Sequence, residues 1–244
     1  MAFAFAPERA VSPKSGAKPD AEVLDEADRL DLEHEHPLGP QQGFGKLWRK
    51  RHRTPLTGVD VSPEHVVTTW KERFGEFWPG DNRIYGPITA LEPGELAVIN
   101  LEMPGQVTLS SGVILVDSQP ASFTLVTPKG HMFAGLLTFS AYRKEGTTFA
   151  QAEMLIRASD PLFEIGMVLF GHRQEDRFWR ETMRNVAAHW RVYAKPESLI
   201  ICEDKRYQWS RIGNIRHNGF IRNLLVRIAA LASRLSGRIT RKAA

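Results

Sequence analysis

The sequence predicts an α+β fold: a run of short strands joined by tight turns, set between a capped helix and a second, much longer helix. Three observations carry this. Segments rich in β-branched and aromatic residues recur from 95 to 158 with turn residues between them. Ser62-Pro63-Glu64 and Asp160-Pro161 read as helix starts, each an N-cap oxygen followed by proline at the first helical position. Apolar residues after both starts fall at the three- and four-residue spacing of a helix face.

In chain order, residues 1–45 hold Pro7, Pro13, Pro19, Pro37 and Pro40 with Gly16, Gly39, Gly43 and Gly45, and few large apolar groups. Such a stretch buries too little to offset its ordering entropy, so it is expected to stay unfolded, with at most a short acidic helix near Ala21–Leu32. Structure is expected to begin with a strand at Thr54–Val61. A helix follows from Pro63 through Val66, Val67, Trp70, Phe74 and Phe77, and Pro79-Gly80-Asp81-Asn82 ends it. Strands are predicted at Glu95–Leu101, Val107–Asp117, Ser122–Thr127, His131–Tyr142 and Thr147–Ala158. Pro128-Lys129-Gly130 and Lys144-Glu145-Gly146 supply hairpin turns, so the sheet is antiparallel. The long helix spans about 160–190, with Leu162, Ile165, Leu169, His172, Asp176, Trp179, Met183, Val186 and Trp190 along one stripe. Gly166 and Gly171 are positions for a bend or a close contact. Beyond Tyr193 the stretch Pro196–Trp209 shows no clear period, and Asn218 is placed to cap a final helix. The chain thus divides into a tail over 1–45, a domain over 46–193 and a basic extension over 194–244.

Composition is that of a globular protein, with 42% apolar and 25% charged residues in 244. A single cysteine, Cys202, excludes an intrachain disulfide and points to a reducing compartment. The N-terminus MAFAFAPERA lacks the basic start and apolar run of a signal peptide, and nothing approaches the roughly 18 apolar residues of a membrane span. The expected location is the cytoplasm, with peripheral attachment to a membrane as the variant on it. Net charge is +4, yet it is unevenly spread. Residues 20–35 carry eight carboxylates and one arginine, whereas 205–244 carry ten Lys or Arg and no carboxylate.

The segment Thr127-Pro128-Lys129-Gly130-His131-Met132-Phe133-Ala134-Gly135 resembles bacterial members of the START-related superfamily, the SRPBCC or polyketide cyclase-like proteins. Asp160-Pro161-Leu162-Phe163-Glu164-Ile165-Gly166, then Gly171-His172-Arg173-Gln174-Glu175-Asp176 and Phe178-Trp179, add to it. The match covers about 54–193 and is closest to a branch without an assigned function. It implies a helix-grip fold, in which a curved antiparallel sheet wraps a long C-terminal helix and leaves a cavity between them. The superfamily includes lipid carriers, hormone receptors, aromatic cyclases and hydrolase-activating cochaperones. Their site residues differ, so none is carried over.

From the residues themselves, His172 and Asp176 stand four apart on one helix face, in line with Leu169 and Trp179. Facing the sheet, the carboxylate would orient the imidazole for acid–base work; the plainer reading is a structural pair. His131, Phe133, Leu137 and Phe139 share a strand face, and so do Gln151, Glu153, Leu155 and Arg157. With both faces inward, His131, Phe133, Phe139, Glu153, Leu169, His172, Asp176 and Trp179 would line an apolar site with a few polar groups. The alternative leaves Gln151, Glu153 and Arg157 in water, because register is not fixed by sequence.

His34-Glu35-His36 lacks the partners of a metal site, and no Walker loop, GxGxxG, GxSxG or HExxH occurs, so no cofactor is expected. The last helix presents Leu224, Leu225 and Ile228 beside Arg222, Arg227 and Arg234. It suits packing on its own domain, an anionic membrane or a protein partner; with few aromatics for stacking, nucleic acid fits least. The expected function is binding of a small apolar or aromatic molecule. The alternatives are a cyclase- or hydratase-type enzyme using His172 and Asp176, and an interaction protein acting through its charged tails.

Overall fold

The computed structural model describes residues 36–86, 88–103, 107–219 and 221. Strand β1 (Leu47–Pro55) precedes helix α1 (Pro63–Glu72), then β2 (Arg83–Tyr85), β3 (Leu96–Met103), β4 (Val107–Gln119), β5 (Ser122–Val126), β6 (Phe133–Lys144) and β7 (Thr147–Ala158). Helix α2 (Pro161–Gly166) runs through a π-helical turn (Met167–Gly171) into α3 (His172–His189), followed by β8 (Glu197–Asp204) and a 3-10 segment (Trp209–His217). The strands form one antiparallel sheet in the order β2-β3-β4-β5-β6-β7-β1-β8. Helix α3 packs on β1 and β7, and α1 packs on β5, β6 and β7. This is the helix-grip arrangement. Among the described residues no helix is long and apolar enough to cross a membrane.

Both helix starts form as the sequence predicts. Ser62 Oγ accepts from His65 N–H at 3.2 Å, and Asp160 Oδ1 accepts from Leu162 and Phe163 N–H at 2.8 and 3.0 Å. Each satisfies donors that a helix N-terminus otherwise leaves bare. In β7 the pleat alternates Thr148, Ala150, Ala152, Met154 and Ile156 into the interior with half-buried residues on the other side. The core between sheet and helices is aromatic: Phe139 lies 4.8 Å from Phe123, 4.9 Å from Phe74, 5.2 Å from Trp70 and 5.7 Å from Trp179 between ring centroids.

Four expectations need correction. The first strand is Leu47–Pro55, not Thr54–Val61. Its cations obscured its pleat: Lys50, His52 and Thr54 point inward at 0% exposure, while Arg49, Arg51 and Arg53 point outward to carboxylates. Second, the fold reaches back into the stretch expected to stay unfolded. Leu38 and Phe44 are buried, Leu38 N–H donates to Thr127 O at 2.7 Å, and Gly135 N–H donates to Leu38 O at 2.9 Å. Gly43 permits this approach, since a Cβ there would stand 2.7 Å from that of Ala134.

Third, the sheet does not stop at 193: Glu197–Asp204 adds to the far side of β1. Glu197 and Glu203 meet Arg53 and Arg49 at 2.6 Å each. Arg157, buried at the end of β7, donates to Gly45 O at 2.8 Å and Asp204 Oδ2 at 3.0 Å, tying strand, N-terminal segment and extension together. Fourth, the long helix is not one regular stripe. A π turn accommodates an extra residue, and one residue is about 100° of an α-helix. Leu162, Ile165 and Leu169, expected to face the sheet, are 40, 59 and 68% exposed, while Phe163 and Met167 are buried. Residues 1–35 and 222–244 lie outside the described residues, so the acidic tail and Arg222, Leu224, Leu225, Arg227, Ile228 and Arg234 have no structural account; Asn218 does cap, accepting from Ile221 N–H at 3.0 Å.

Candidate functional site

A cluster of buried charge lies where α3 crosses β1. Lys50 projects from the strand's inner face, wholly buried, and its Nζ donates to Glu175 Oε2 at 2.6 Å and to Asp176 Oδ1 at 2.7 Å. A lone ammonium would be costly in such a place, and the two carboxylates of one helical turn compensate it. Strand alternation brings Trp48 and His52 to the same face as Lys50. The Trp48 ring lies 4.7 Å from the His172 ring, and His52 Nδ1 shares a hydrogen bond with Ser198 Oγ at 2.8 Å.

Burial sets the protonation of this cluster. It pushes the Glu175 carboxyl up, with Lys50 opposing. It pulls His172 down to about 4, assisted by Lys50 and opposed by Asp176, and pulls His52 down to about 4 as well. Both imidazoles are therefore neutral at pH 7, each able to accept at one ring nitrogen and donate at the other. Trp48 Nε1, His52 Nε2, His172 Nδ1 and Glu175 Oε1 are buried with no hydrogen-bond partner among the described residues. Among the described residues ten buried side-chain atoms lack a partner, and these four belong to residues that flank Lys50 and Asp176 on strand and helix; most buried polar atoms in folded proteins are paired.

His172 and Asp176 therefore come together, but not as a dyad. Asp176 is engaged by Lys50, so the carboxylate expected to orient the imidazole instead neutralises an ammonium. The sequence reading missed Lys50, His52, Trp48 and Glu175. The signal was present in the alternation of Trp48, Lys50, His52 and Thr54 against Arg49, Arg51 and Arg53.

The other expected residues separate. Phe133 and Phe139 face the helices from β6, as do Leu137 and its neighbour Met154 across the β6–β7 ladder. Phe139 and Trp179 are buried within the aromatic core and close the space at that end. Trp48, Leu101, Phe133, Leu137 and Phe178 pack on the same core yet stay half-buried. Glu153 does not face the site. It pairs with Thr138 on the opposite side of the sheet, where it holds Arg49 at 2.9 Å and Arg51 at 2.8 Å. His131 lies in the turn before β6 rather than in the strand; buried and lowered to about 4 by that burial, it accepts from Phe133 N–H at 2.9 Å and shapes the turn. Leu169 is on the outer surface, for the reason the π turn supplies. Arg157 is neither pocket-lining nor solvated but buried by the segments it ties together.

No protein-family model and no curated protein matches the sequence. Solved structures do resemble the fold. The Mycobacterium smegmatis protein Ms6760 is 9% identical with a TM-score of 0.42, over 58% of this chain and 89% of that one. Major latex-like protein 151 of Panax ginseng is 11% identical with a TM-score of 0.39, over 60% of this chain and 99% of its own. The di-domain ARO/CYC StfQ of the steffimycin biosynthetic pathway is 8% identical with a TM-score of 0.44, over 68% of this chain and 54% of that longer one. The likeness to these structures is one of fold.

Proposed function

We propose that this protein binds a small, largely apolar or aromatic molecule against the inner face of the sheet, with its polar group at the Lys50–Glu175–Asp176 centre. The observation that carries the reading is the set of unpartnered buried polar atoms, Trp48 Nε1, His52 Nε2, His172 Nδ1 and Glu175 Oε1, beside apolar side chains that face inward and remain half-buried. Such an atom left unpaired costs roughly 1–3 kcal/mol, so a ligand hydroxyl or carbonyl that bonds two of them gains what folding left unsatisfied. Leu101, Phe133, Leu137 and Phe178 supply the apolar wall. The ion pairs between Lys50 and its two carboxylates leave no surplus positive charge, which favours an uncharged polar group over a carboxylate.

One observation favours catalysis as a second reading. A carboxyl raised by burial and a neutral imidazole lie in one cluster, the combination needed to give a proton at one atom and take it at another. In that reading Glu175, rather than Asp176, is the acid, and His172 the base.

Titration with the neutral fluorophore N-phenyl-1-naphthylamine tests the binding proposal. Saturable enhancement is expected, weakened at least tenfold by Leu137→Asp and several-fold by His172→Ala, with Leu169→Asp on the outer surface leaving it unchanged. Equal binding by all four proteins, or none by the wild type, would overturn it.

A further inference from the structure

The segments that follow β7 and β8 each turn an apolar row outward. In the first, α2 and the π turn expose Leu162, Ile165, Val168 and Leu169. In the second, the 3-10 segment has three residues per turn, so side chains three apart eclipse one another. Trp209, Ile212 and Ile215 therefore form one row, exposed at 66, 50 and 39%. A different row fixes that segment to the domain. Asn214 Nδ2 donates to Ser159 O and to Gln42 O at 2.8 Å each, and Asn218 Nδ2 donates to Asp160 Oδ2 at 2.7 Å in a buried bond. These bonds hold it against the start of α2, so the two exposed rows belong to adjoining segments. Single exposed apolar residues are ordinary, whereas rows gathered on neighbouring elements mark a surface that binds.

The charges on these segments have one sign. Over 161–173 and 205–217 the exposed charged side chains are Arg173, Lys205, Arg206, Arg211 and Arg216. The one carboxylate in those two stretches, Glu164, is buried. Arg206 is matched by Asp204 at 3.0 Å, just outside them. A second copy docked on this face would set cations against cations. An anionic surface instead matches them.

We propose that this face docks on an anionic lipid bilayer, with the two apolar rows at the boundary of headgroups and acyl chains and the cations among the headgroups. Short apolar faces bordered by Lys and Arg bind in this way, through buried apolar area together with attraction to anionic lipid. Tyr207 stacks on Phe44 at 5.6 Å and Trp209 meets the same ring edge-on at 5.3 Å, so both amphipathic rings are held at the rim of the face, the level such rings take at a membrane surface. The surface is built on the folded domain, and the proposal does not depend on what the interior binds.

The test is co-sedimentation of the full chain with vesicles of equimolar phosphatidylglycerol and phosphatidylcholine. Saturable binding is expected, at least tenfold weaker to phosphatidylcholine alone and weaker near 1 M salt, where the Debye length falls to about 3 Å. Ile165→Asp with Leu169→Asp, and separately Trp209→Ser with Ile212→Ser, should each weaken it at least tenfold. Arg211→Glu with Arg216→Glu should do the same. Leu169→Trp should tighten it, which keeps the test open even where a polar variant folds poorly. Equal binding to both vesicles would overturn the proposal. So would binding that ignores the substitutions in the apolar rows, which would place the contact in the basic C-terminal segment. Self-association in solution that the same substitutions abolish, without vesicle binding by the wild type, would overturn it in favour of a second copy.

Discussion

Replacing Lys50 with methionine probes the buried centre most sharply. The side chain is fully buried, and it makes two charge-assisted bonds of 2.6 and 2.7 Å to carboxylates that are themselves largely buried. Bonds to charged groups contribute about 1.5–3 kcal/mol each, and removing one partner of a buried pair typically costs about 3–5 kcal/mol. Methionine keeps most of the volume, so the loss is electrostatic. Part of it is relieved because Glu175, already raised by burial, takes up a proton once the ammonium is gone. About 3 kcal/mol is therefore expected at pH 7, a drop of roughly 1–2 M in urea midpoint at an m-value near 2 kcal/mol/M. The sign of the pH dependence follows. A carboxyl whose folded pKa is raised loses stability as pH climbs above its ordinary value of 4.5. Removing Lys50 raises it further, so the destabilisation should shrink between pH 7 and pH 4. A loss below about 1 kcal/mol at both pH values would refute a buried, compensated lysine.

Further outcomes follow from other parts of the molecule. His52 and His131, both lowered to about 4, should remain neutral in NMR titration down to about pH 5, and because the unfolded chain takes up protons first, stability should fall as pH drops from 6.5 towards 4; titration near 6.5 would contradict their burial. Trp179→Ala should cost about 3–5 kcal/mol by urea denaturation, since the ring is buried against Phe139. Deleting residues 1–45 should lower the Tm by well over a few degrees, because Leu38 and Phe44 are each worth about 1.5–3 kcal/mol of burial; an unchanged Tm would return that stretch to a dispensable tail. Arg157→Lys should destabilise almost as much as Arg157→Ala, since an ammonium does not reproduce the guanidinium's bonds to Gly45 O and Asp204.

The meander was legible because its strands obey the two-residue pleat in residues whose polarity differs sharply. Thr147–Ala158 was placed to the residue, and both helix starts were readable from Ser62-Pro63 and Asp160-Pro161. What failed did so for local reasons. A strand of alternating cations, Arg49 to Arg53, has no polarity contrast between its faces, although one face buries Lys50 and His52. Its neighbour β8 depends on that strand for the arginines that pair with its carboxylates, so missing one hid the other. Leu169 was misplaced because helical spacing was counted across Met167–Gly171, where the period changes. The candidate site was half visible for the same causes. His172 and Asp176 stand on the recognisable part of the helix, while Lys50, His52 and Trp48 stand on the strand whose pattern was masked. Glu153 was placed by register, which only the partner strands decide.

The central claim is that a small apolar molecule is held against the inner face of the sheet with its polar group at the Lys50 centre. Amide and side-chain chemical-shift mapping of the full chain titrated with N-phenyl-1-naphthylamine tests it most directly. The account predicts saturable shifts concentrated at Trp48, Lys50, Leu101, Phe133, Leu137, His172, Glu175 and Phe178. Shifts confined to the exposed residues Leu162, Ile165, Leu169 and Trp209, or no saturable shifts, would contradict it.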